Sequence, residues 1–183
     1  LLVRSFAALL QTDPGFRPDR VVTMSVALPI DAYDSGQSVS MFVRGVHERL
    51  RSIPGVQNTS ISTDVPLESN ERRAMTPENA TMAGPPPSVT MTWTYGDYFG
   101  TLGVPIVRGR TFTATEDIEL RPVAIVSESL AARYWPDQDP IGKRIKNGLA
   151  ESQTQWLEIV GVAGDAFDGP MTGEATIHVY VPL

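Results

Sequence analysis

This sequence predicts an α+β fold, on three observations. Segments with the two-residue period of strands alternate with segments of helical period, so the class is mixed. These segments do not follow the regular β-α-β-α series that a parallel α/β sheet requires. Fifteen prolines and fifteen glycines in 183 residues cut the chain into short elements separated by turns.

The first ten residues, Leu1 to Leu10, are apolar but far shorter than the roughly 20 residues a membrane-spanning helix needs. No basic stretch precedes them, so they do not read as a signal peptide. Two readings stand: a surface helix packing Leu2, Phe6, Leu9 and Leu10 on the domain, or the outer end of a transmembrane helix. After a turn at 13–18, Val22, Met24, Val26 and Leu28 alternate on one face and predict a strand over 21–28, ended by Pro29. Asp34 is placed to cap the next helix, with Gln37 at the capping-box position. Val39, Phe42, Val43, Val46, Leu50 and Ile53 form its apolar face, and Pro54-Gly55 stops it. Residues 56–63 predict a second strand, completing a β-α-β unit.

Residues 64–87 change texture. Glu68 to Arg73 are polar, and the stretch ends in Pro85, Pro86 and Pro87; the prediction is a long mobile surface excursion. A strand resumes over 89–94. Asp97 to Leu102 predict a short helix closed by Gly103, and 104–110 an edge strand, where Pro105 is tolerated. In the second half, 123–126 predict a buried strand and Ser127 caps a helix through Trp135, with Leu130, Ala131, Tyr134 and Trp135 inward. A turn at 139–142 and strands over 143–146, 156–163 and 176–181 complete the pattern.

At 42% hydrophobic and 20% charged residues the composition is that of an ordinary globular protein. The formal charge of −6 argues against nucleic acid as a partner, because phosphates need a basic face. The tight basic cluster Lys143, Arg144 and Lys146 reads as the solvated end of a strand. The chain contains no cysteine, which removes disulfides, thiol catalysis and cysteine-based zinc sites together.

Most motifs fail on inspection. Gly142-Lys143 is followed by Arg144 and lacks the upstream glycine of a phosphate loop. Gly161 and Gly164 lack the third glycine and following helix of a dinucleotide fingerprint. Counting a calcium loop from Asp165 places Phe167 and Thr176 at ligand positions, so Asp165, Asp168 and Gly169 read as a carboxylate-rich turn. His47 lies on the polar flank of its helix, and His178 is expected to face away from the apolar side of its strand. Ser127, His178 and Asp165 can be drawn as a triad, but no Gly-x-Ser-x-Gly elbow exists. Glu116, Asp117 and Glu119 read as a solvated loop. The aromatic set Trp93, Tyr95, Tyr98, Phe99, Phe112, Tyr134, Trp135 and Trp156 reads as a second core; exposed together with Met75, Met82 and Met91, it would mark a contact surface instead. The sequence therefore names no catalytic, cofactor-binding or metal-ligating residue, and no cofactor.

Several phrases, in order, resemble a known family. They are Asp-Pro-Gly-Phe-Arg-Pro at 13–18, Ile-Pro-Gly-Val at 53–56, Tyr-Phe-Gly-Thr-Leu-Gly-Val-Pro with Arg-Gly-Arg at 98–110, Val-Ala-Ile-Val-Ser-Glu-Ser-Leu-Ala-Ala-Arg-Tyr-Trp-Pro at 123–136, Asp-Pro-Ile-Gly-Lys-Arg-Ile at 139–145 and Ile-Val-Gly-Val at 159–162. The chain resembles the extracytoplasmic core domain of MacB-type ABC-transporter permeases, in particular the orphan-permease group. The resemblance implies a membrane-proximal helix and linker over 1–19, the first half of a porter-like part over 20–66, a sabre-like part over 67–175, and a strand at 176–183 returning to the porter-like part. It favours the transmembrane reading of Leu1 to Leu10. It implies a non-catalytic domain on the periplasmic side of a bacterial inner membrane that couples cytoplasmic ATP hydrolysis to outer-domain motion for efflux or export. The implied partners are a separate cytoplasmic ATPase, a second permease copy, and an envelope adaptor protein or an apolar or peptide substrate. In that family a further strand–helix–strand follows the phrase at 180–182, so an incomplete porter sheet with an exposed apolar edge near 21–28 or 177–181 is expected.

Two other functions fit the residues alone. A free-standing periplasmic binding module would carry the same α+β pattern. A small hydrolase using Ser127 or Ser129 would require a cleft joining that serine to His47 or His178.

Overall fold

The structure is a computed structural model that describes residues 14–29, 31–33, 35–66, 72–78, 87–166 and 177–183. Among the described residues there are eight strands: β1 (Ser60–Ser62), β2 (Arg72–Pro77), β3 (Ser88–Gly96), β4 (Ile106–Gly109), β5 (Val123–Ser127), β6 (Arg144–Asn147), β7 (Trp156–Ala163) and β8 (His178–Pro182). Four helices accompany them: α1 (Gly36–Arg51), α2 (Tyr98–Leu102), α3 (Ala114–Glu119) and α4 (Glu128–Tyr134).

The strand pairings close on themselves. β3 pairs with β2 on one side and, in parallel, with β8 on the other. β8 pairs with β5, β5 in parallel with β7, β7 with β6, and β6 with β2. Six strands thus form a closed ring, a small barrel of mixed strand directions. β1 pairs with the C-terminal end of β3, and β4 pairs with β7.

Alternation along each strand then sorts side chains to the inside or outside of this ring. The first core cluster takes residues from all six ring strands: Met75, Met91, Val126, Ile145, Ile159 and Val179 are among them. Leu130, Ala131 and Trp135 of the α4 region join the same cluster, so α4 stoppers one end. The second cluster lies outside, where Ile125, Val160 and Tyr180 meet Tyr98, Phe99 and Leu102 of α2. Phe16 and Val21 pack against it. Gly15 makes that approach possible: its φ is +77°, and a Cβ there would lie 1.9 Å from the Asp165 carbonyl oxygen.

Local signals place the helices. Ser127 accepts from the Leu130 N–H at the start of α4, and Asp97 from Gly100 N–H at the start of α2. Gly103 ends α2 in the left-handed conformation. α1 is capped by Ser35, whose side chain accepts from Ser38 N–H; the expected cap, Asp34, lies outside the described residues.

Several expectations are corrected. Residues 21–28 are not a paired strand: they form no ladder hydrogen bonds with the described residues, and Val22, Met24 and Val26 are 94%, 73% and 53% exposed. An alternating pattern supplies an apolar face but not a partner. The exposed sheet edge expected near 21–28 or 177–181 is found at neither place among the described residues: 21–28 are apolar and exposed but belong to no strand, and β8 is paired on both sides with Val179 and Tyr180 buried. α1 buries only Val43 of its predicted apolar face, and Ile53 is exposed. The second strand shrinks to β1. The predicted excursion contains β2, with Met75, Thr76 and Pro77 buried; Glu68, Met82 and Pro85 lie outside the described residues, as do Leu1 to Leu10 and Asp168. The acidic run Glu116, Asp117 and Glu119 is helical, not a loop. Lys146 is buried, its Nζ donating to the Ala150 and Ser152 carbonyls and lying 5.0 Å from the Trp156 ring centroid. His178 is buried as well, because the outside of the ring at β8 is covered by the second cluster.

The contrast between plug and exposed row is measurable by urea unfolding. Leu130→Ala should cost about 2–5 kcal/mol, as deletion of a fully buried leucine does, while Val22→Thr should stay within about 0.5 kcal/mol of the parent.

Candidate functional site

Among the described residues, the ring end opposite α4 carries a shallow concavity open to solvent. Met91 and Trp93 of β3, Leu157 of β7 and Val181 of β8 face a cavity of about 210 Å³ there. The α3–β5 connection forms one wall through Leu120, Arg121 and Pro122, and Asn147, Thr154 and Gln155 border the other side. Leu120 terminates α3 with φ 50° and ψ 49° while remaining half exposed. A left-handed leucine costs roughly 1–2 kcal/mol of backbone strain. Arg121 Nε is 2.8 Å from Glu119 Oε2, both side chains being exposed. The Arg73 guanidinium sits 5.0 Å from the Trp93 ring centroid. Sequence reasoning named Trp93 and Met91 only within a larger set that would mark a contact surface if exposed; the alternation of Val89, Met91 and Trp93 shows a shared face but not the ring it lines.

The structure does bring the segments of the drawn triad together, as framework. Ser127 is fully buried, and its Oγ accepts from the His178 main-chain N–H at 3.0 Å and the Leu130 N–H at 3.4 Å. Its remaining neighbour is Ser129 Oγ at 3.3 Å. Asp165 Oδ1 accepts from Ser129 N–H at 2.9 Å. The His178 ring stacks on Tyr180 at 5.3 Å. The serine therefore ties β5, α4 and β8 to one another with both lone pairs used. His47 is elsewhere: its Nε2 lies 3.2 Å from the Thr59 carbonyl oxygen and its ring meets Tyr95 edge-on. None of these groups lines the concavity, so the cleft a hydrolase would need is not formed there. Among the described residues no three His, Asp or Glu side chains converge as a metal site.

The strongest electrostatics sit on α3. Glu116 is buried and takes a two-pronged hydrogen bond from Arg110, 2.7 Å to each oxygen. Thr113 adds its main-chain N–H at 2.8 Å and its hydroxyl at 3.0 Å. The guanidinium first, and Thr113 next, hold the Glu116 pKa down at about 2. Asp117 behaves oppositely. Burial, with the Glu116 charge adding, pushes it up to about 6 against one opposing hydrogen bond from Gly96 N–H at 3.3 Å. Its Oδ1 is buried with no hydrogen-bond partner among the described residues.

These two carboxylates give stability opposite pH dependences. The folded pKa of Glu116 is depressed, so its contribution is present above about 4.5 and lost as pH falls towards 2. Asp117 is raised, so the stability it allows is full below about 3.8 and lost as pH rises through 6. Glu116→Gln should cost about 2 kcal/mol at neutral pH and converge on the parent in acid. Asp117→Asn should gain about 1 kcal/mol above pH 6, after discounting for solvent screening, and nothing near pH 4. Unfolding free energies across pH 2–8 check both curves.

Comparison with known proteins places this geometry. Residues 11–183 match the family model of the MacB-like periplasmic core domain. No curated protein sequence matches the chain. Three solved structures share the fold: the periplasmic region of MacB from Actinobacillus actinomycetemcomitans (TM-score 0.53, 17% identity, covering 76% of this chain and 54% of that one); the extracellular domain of the noncanonic ABC-type transporter YknZ from Gram-positive bacteria (TM-score 0.51, 20% identity, 77% and 62%); and a domain of a putative permease protein from Porphyromonas gingivalis (TM-score 0.50, 21% identity, 76% and 55%). The chain thus spans between 54% and 62% of the length of these structures. With a match running from residue 11 to residue 183, the chain belongs to the family of MacB-like periplasmic core domains.

Proposed function

We propose that this chain is the non-catalytic extracytoplasmic core of a MacB-like ABC-transporter permease in a bacterial inner membrane, and that it relays motion driven by ATP hydrolysis on a separate cytoplasmic ATPase to export a substrate. The family match over nearly the whole chain carries the reading. The fold supports it in two ways. The buried polar groups Ser127, Glu116 and Lys146 are all committed to main-chain or ion-pair contacts that hold elements together. A closed ring with a packed interior also moves as one body, because close-packed cores deform little; that is what a mechanical relay requires.

In this reading 20–66 belong to a porter-like part, 67–175 to a sabre-like part, and 176–183 link the two. The link would be stiff, since β8 lies between β3 and β5. The exposed row Val22, Met24 and Val26 and the thinly covered face of α1 are the surfaces that the rest of the permease, or its second copy, would cover. The working partners are that second copy, the ATPase reached through membrane helices, and an envelope adaptor or an apolar or peptide substrate. No helix among the described residues is long and apolar enough to cross a membrane, so the relay would enter through segments outside them.

The chain has no cysteine, which makes the test direct. Val107 is exposed on β4, and Val107→Cys can be placed in the protein as the gene encodes it, other cysteines replaced. A membrane-impermeant maleimide should label Cys at this position in spheroplasts without lysis. Labelling only after lysis would overturn the location. Spin labels at the same site should then report a changed distance between copies when the ATPase is trapped with ATP. An unchanged distance would overturn the mechanical role while leaving the location intact.

A further inference from the structure

We infer that the seam joining α1 and β1 to the ring is a proton-operated latch, closed while the Asp117 carboxyl is protonated and released when it ionises. The inference does not depend on the permease reading. Its first support is convergence, because four elements meet at Gly96. This glycine ends β3 and stands opposite Ser60, the first residue of β1. From α1, His47 donates through Nε2 to the Thr59 carbonyl at 3.2 Å and sets its ring edge-on to Tyr95. From α3, Asp117 Oδ2 accepts the Gly96 N–H at 3.3 Å. A side chain has no room there: φ is +78°, and a Cβ would lie 2.5 Å from His47 Nε2 and 3.0 Å from the Thr59 carbonyl oxygen. Little apolar packing backs the seam, since α1 buries only Val43 and no residue of β1 is fully buried.

The second support is what the seam leaves unsatisfied. Among the described residues, three buried side-chain oxygens have no hydrogen-bond partner: Thr59 Oγ1, Thr94 Oγ1 and Asp117 Oδ1. All three lie at this seam. Thr59 precedes β1, Thr94 pairs with Ser62 of β1, and Asp117 holds Gly96. Buried polar atoms are ordinarily paired, and each exception weakens the interface that contains it. A neutral hydroxyl or carboxyl tolerates the loss, whereas an ionised carboxylate in the same place costs far more. The charge state of Asp117 therefore decides how firmly the seam shuts.

The third support is that the surrounding charges do not compensate. On its own helix Asp117 follows Glu116, a like charge whose oxygens already engage Arg110 and Thr113. From β3, Tyr95 faces both Asp117 and the Arg44 and Glu48 of α1, which oppose one another. His47 of α1 is spent on Thr59. Asp97, beside Gly96, caps α2 through the Gly100 N–H, and β1 contributes only Ser-Ile-Ser. Burial first, with the Glu116 charge adding, pushes Asp117 up to about 6 against the Gly96 hydrogen bond. The closed seam thus prefers the protonated acid. Closure is firmest below the ordinary value of 3.8 and is lost as pH rises through 6. An ionised Oδ1 needs water, and water reaches it when α3 draws away from the end of β3.

The test is amide hydrogen exchange by NMR on the full isotope-labelled chain, read as protection factors so that the intrinsic pH dependence of exchange cancels. Two seam amides report: Gly96, bonded to Asp117, and Thr63, bonded to the Trp93 carbonyl. Thr90 and Ile159, bonded to the Ile177 and Lys143 carbonyls, report the ring. Protection at the seam should fall about tenfold from pH 5 to pH 8, as follows for a carboxyl moved from 3.8 to about 6. At pH 8 the seam amides should exchange at least about tenfold faster than the ring amides, and dilute urea should accelerate only the ring. Asp117→Asn should remove the pH dependence at the seam, whereas His47→Gln should leave it. In the parent chain the carbon-13 carboxyl signal of Asp117 should titrate together with the loss of Gly96 protection, a reading that needs no variant. Seam and ring amides with equal rates and equal urea dependence would show one global opening and overturn the latch. So would a seam indifferent to pH, a dependence that survives Asp117→Asn or disappears in His47→Gln, or an Asp117 carboxyl titrating near 3.8.

Discussion

The pairing of β8 between β3 and β5 is the constraint on which the rest of the structure depends. Five residue pairs in parallel join β3 to β8, from Thr90 with His178 to Thr94 with Pro182. Two antiparallel pairs join β8 to β5. Without this strand the remaining pairings describe an open, bent sheet with β3 and β5 as free edges, and exposed edges of that kind invite mispairing. With it, the inward side chains of six strands share one interior, and inside and outside become defined for every element.

The same closure assigns roles to the buried polar groups. Ser127 sits where β5 ends, α4 begins and β8 enters, and its hydroxyl satisfies a main-chain N–H from each of the latter two. A buried donor left unpaired there would cost about 1–3 kcal/mol, so a serine at this joint needs no chemistry to account for it. Glu116 similarly ties α3 to the residue after β4 through Arg110. Asp117, one residue on, has an oxygen with no partner among the described residues, in contrast to the fully engaged carboxylate beside it.

Much of this architecture was legible in the sequence, and the misses share a cause. Elements marked by strong local rules appeared where expected: the β5–α4 unit from Val-Ala-Ile-Val-Ser, α2 from Asp97 and Gly103, α1 from its 3.6-residue apolar period. Period alone cannot state who the partner is. Residues 21–28 alternate well and pair with nothing among the described residues, whereas Arg72–Pro77 look polar and form a ring strand, because only Met75 has to reach the interior cluster. The parity of His178 was read correctly as opposite to Val179, yet opposite meant a second core and not solvent. The concavity was invisible for the same reason. It is a property of closure, assembled from strand ends as distant as Met91, Leu157 and Val181.

The register that closes the ring also sets an order in time. Thr90 meets His178, so during synthesis the ring stays open until the last described strand has left the ribosome. At about 5–20 residues per second that delay lasts several seconds. Through it, β3 and β5 present bare edges, and the side chains of Met75, Val89 and Met91, later fully enclosed, face whatever surrounds the nascent chain. Long-range parallel pairing of this kind folds slowly. The strand that closes the finished ring is thus the one whose late arrival leaves the growing chain's apolar surface and strand edges exposed longest.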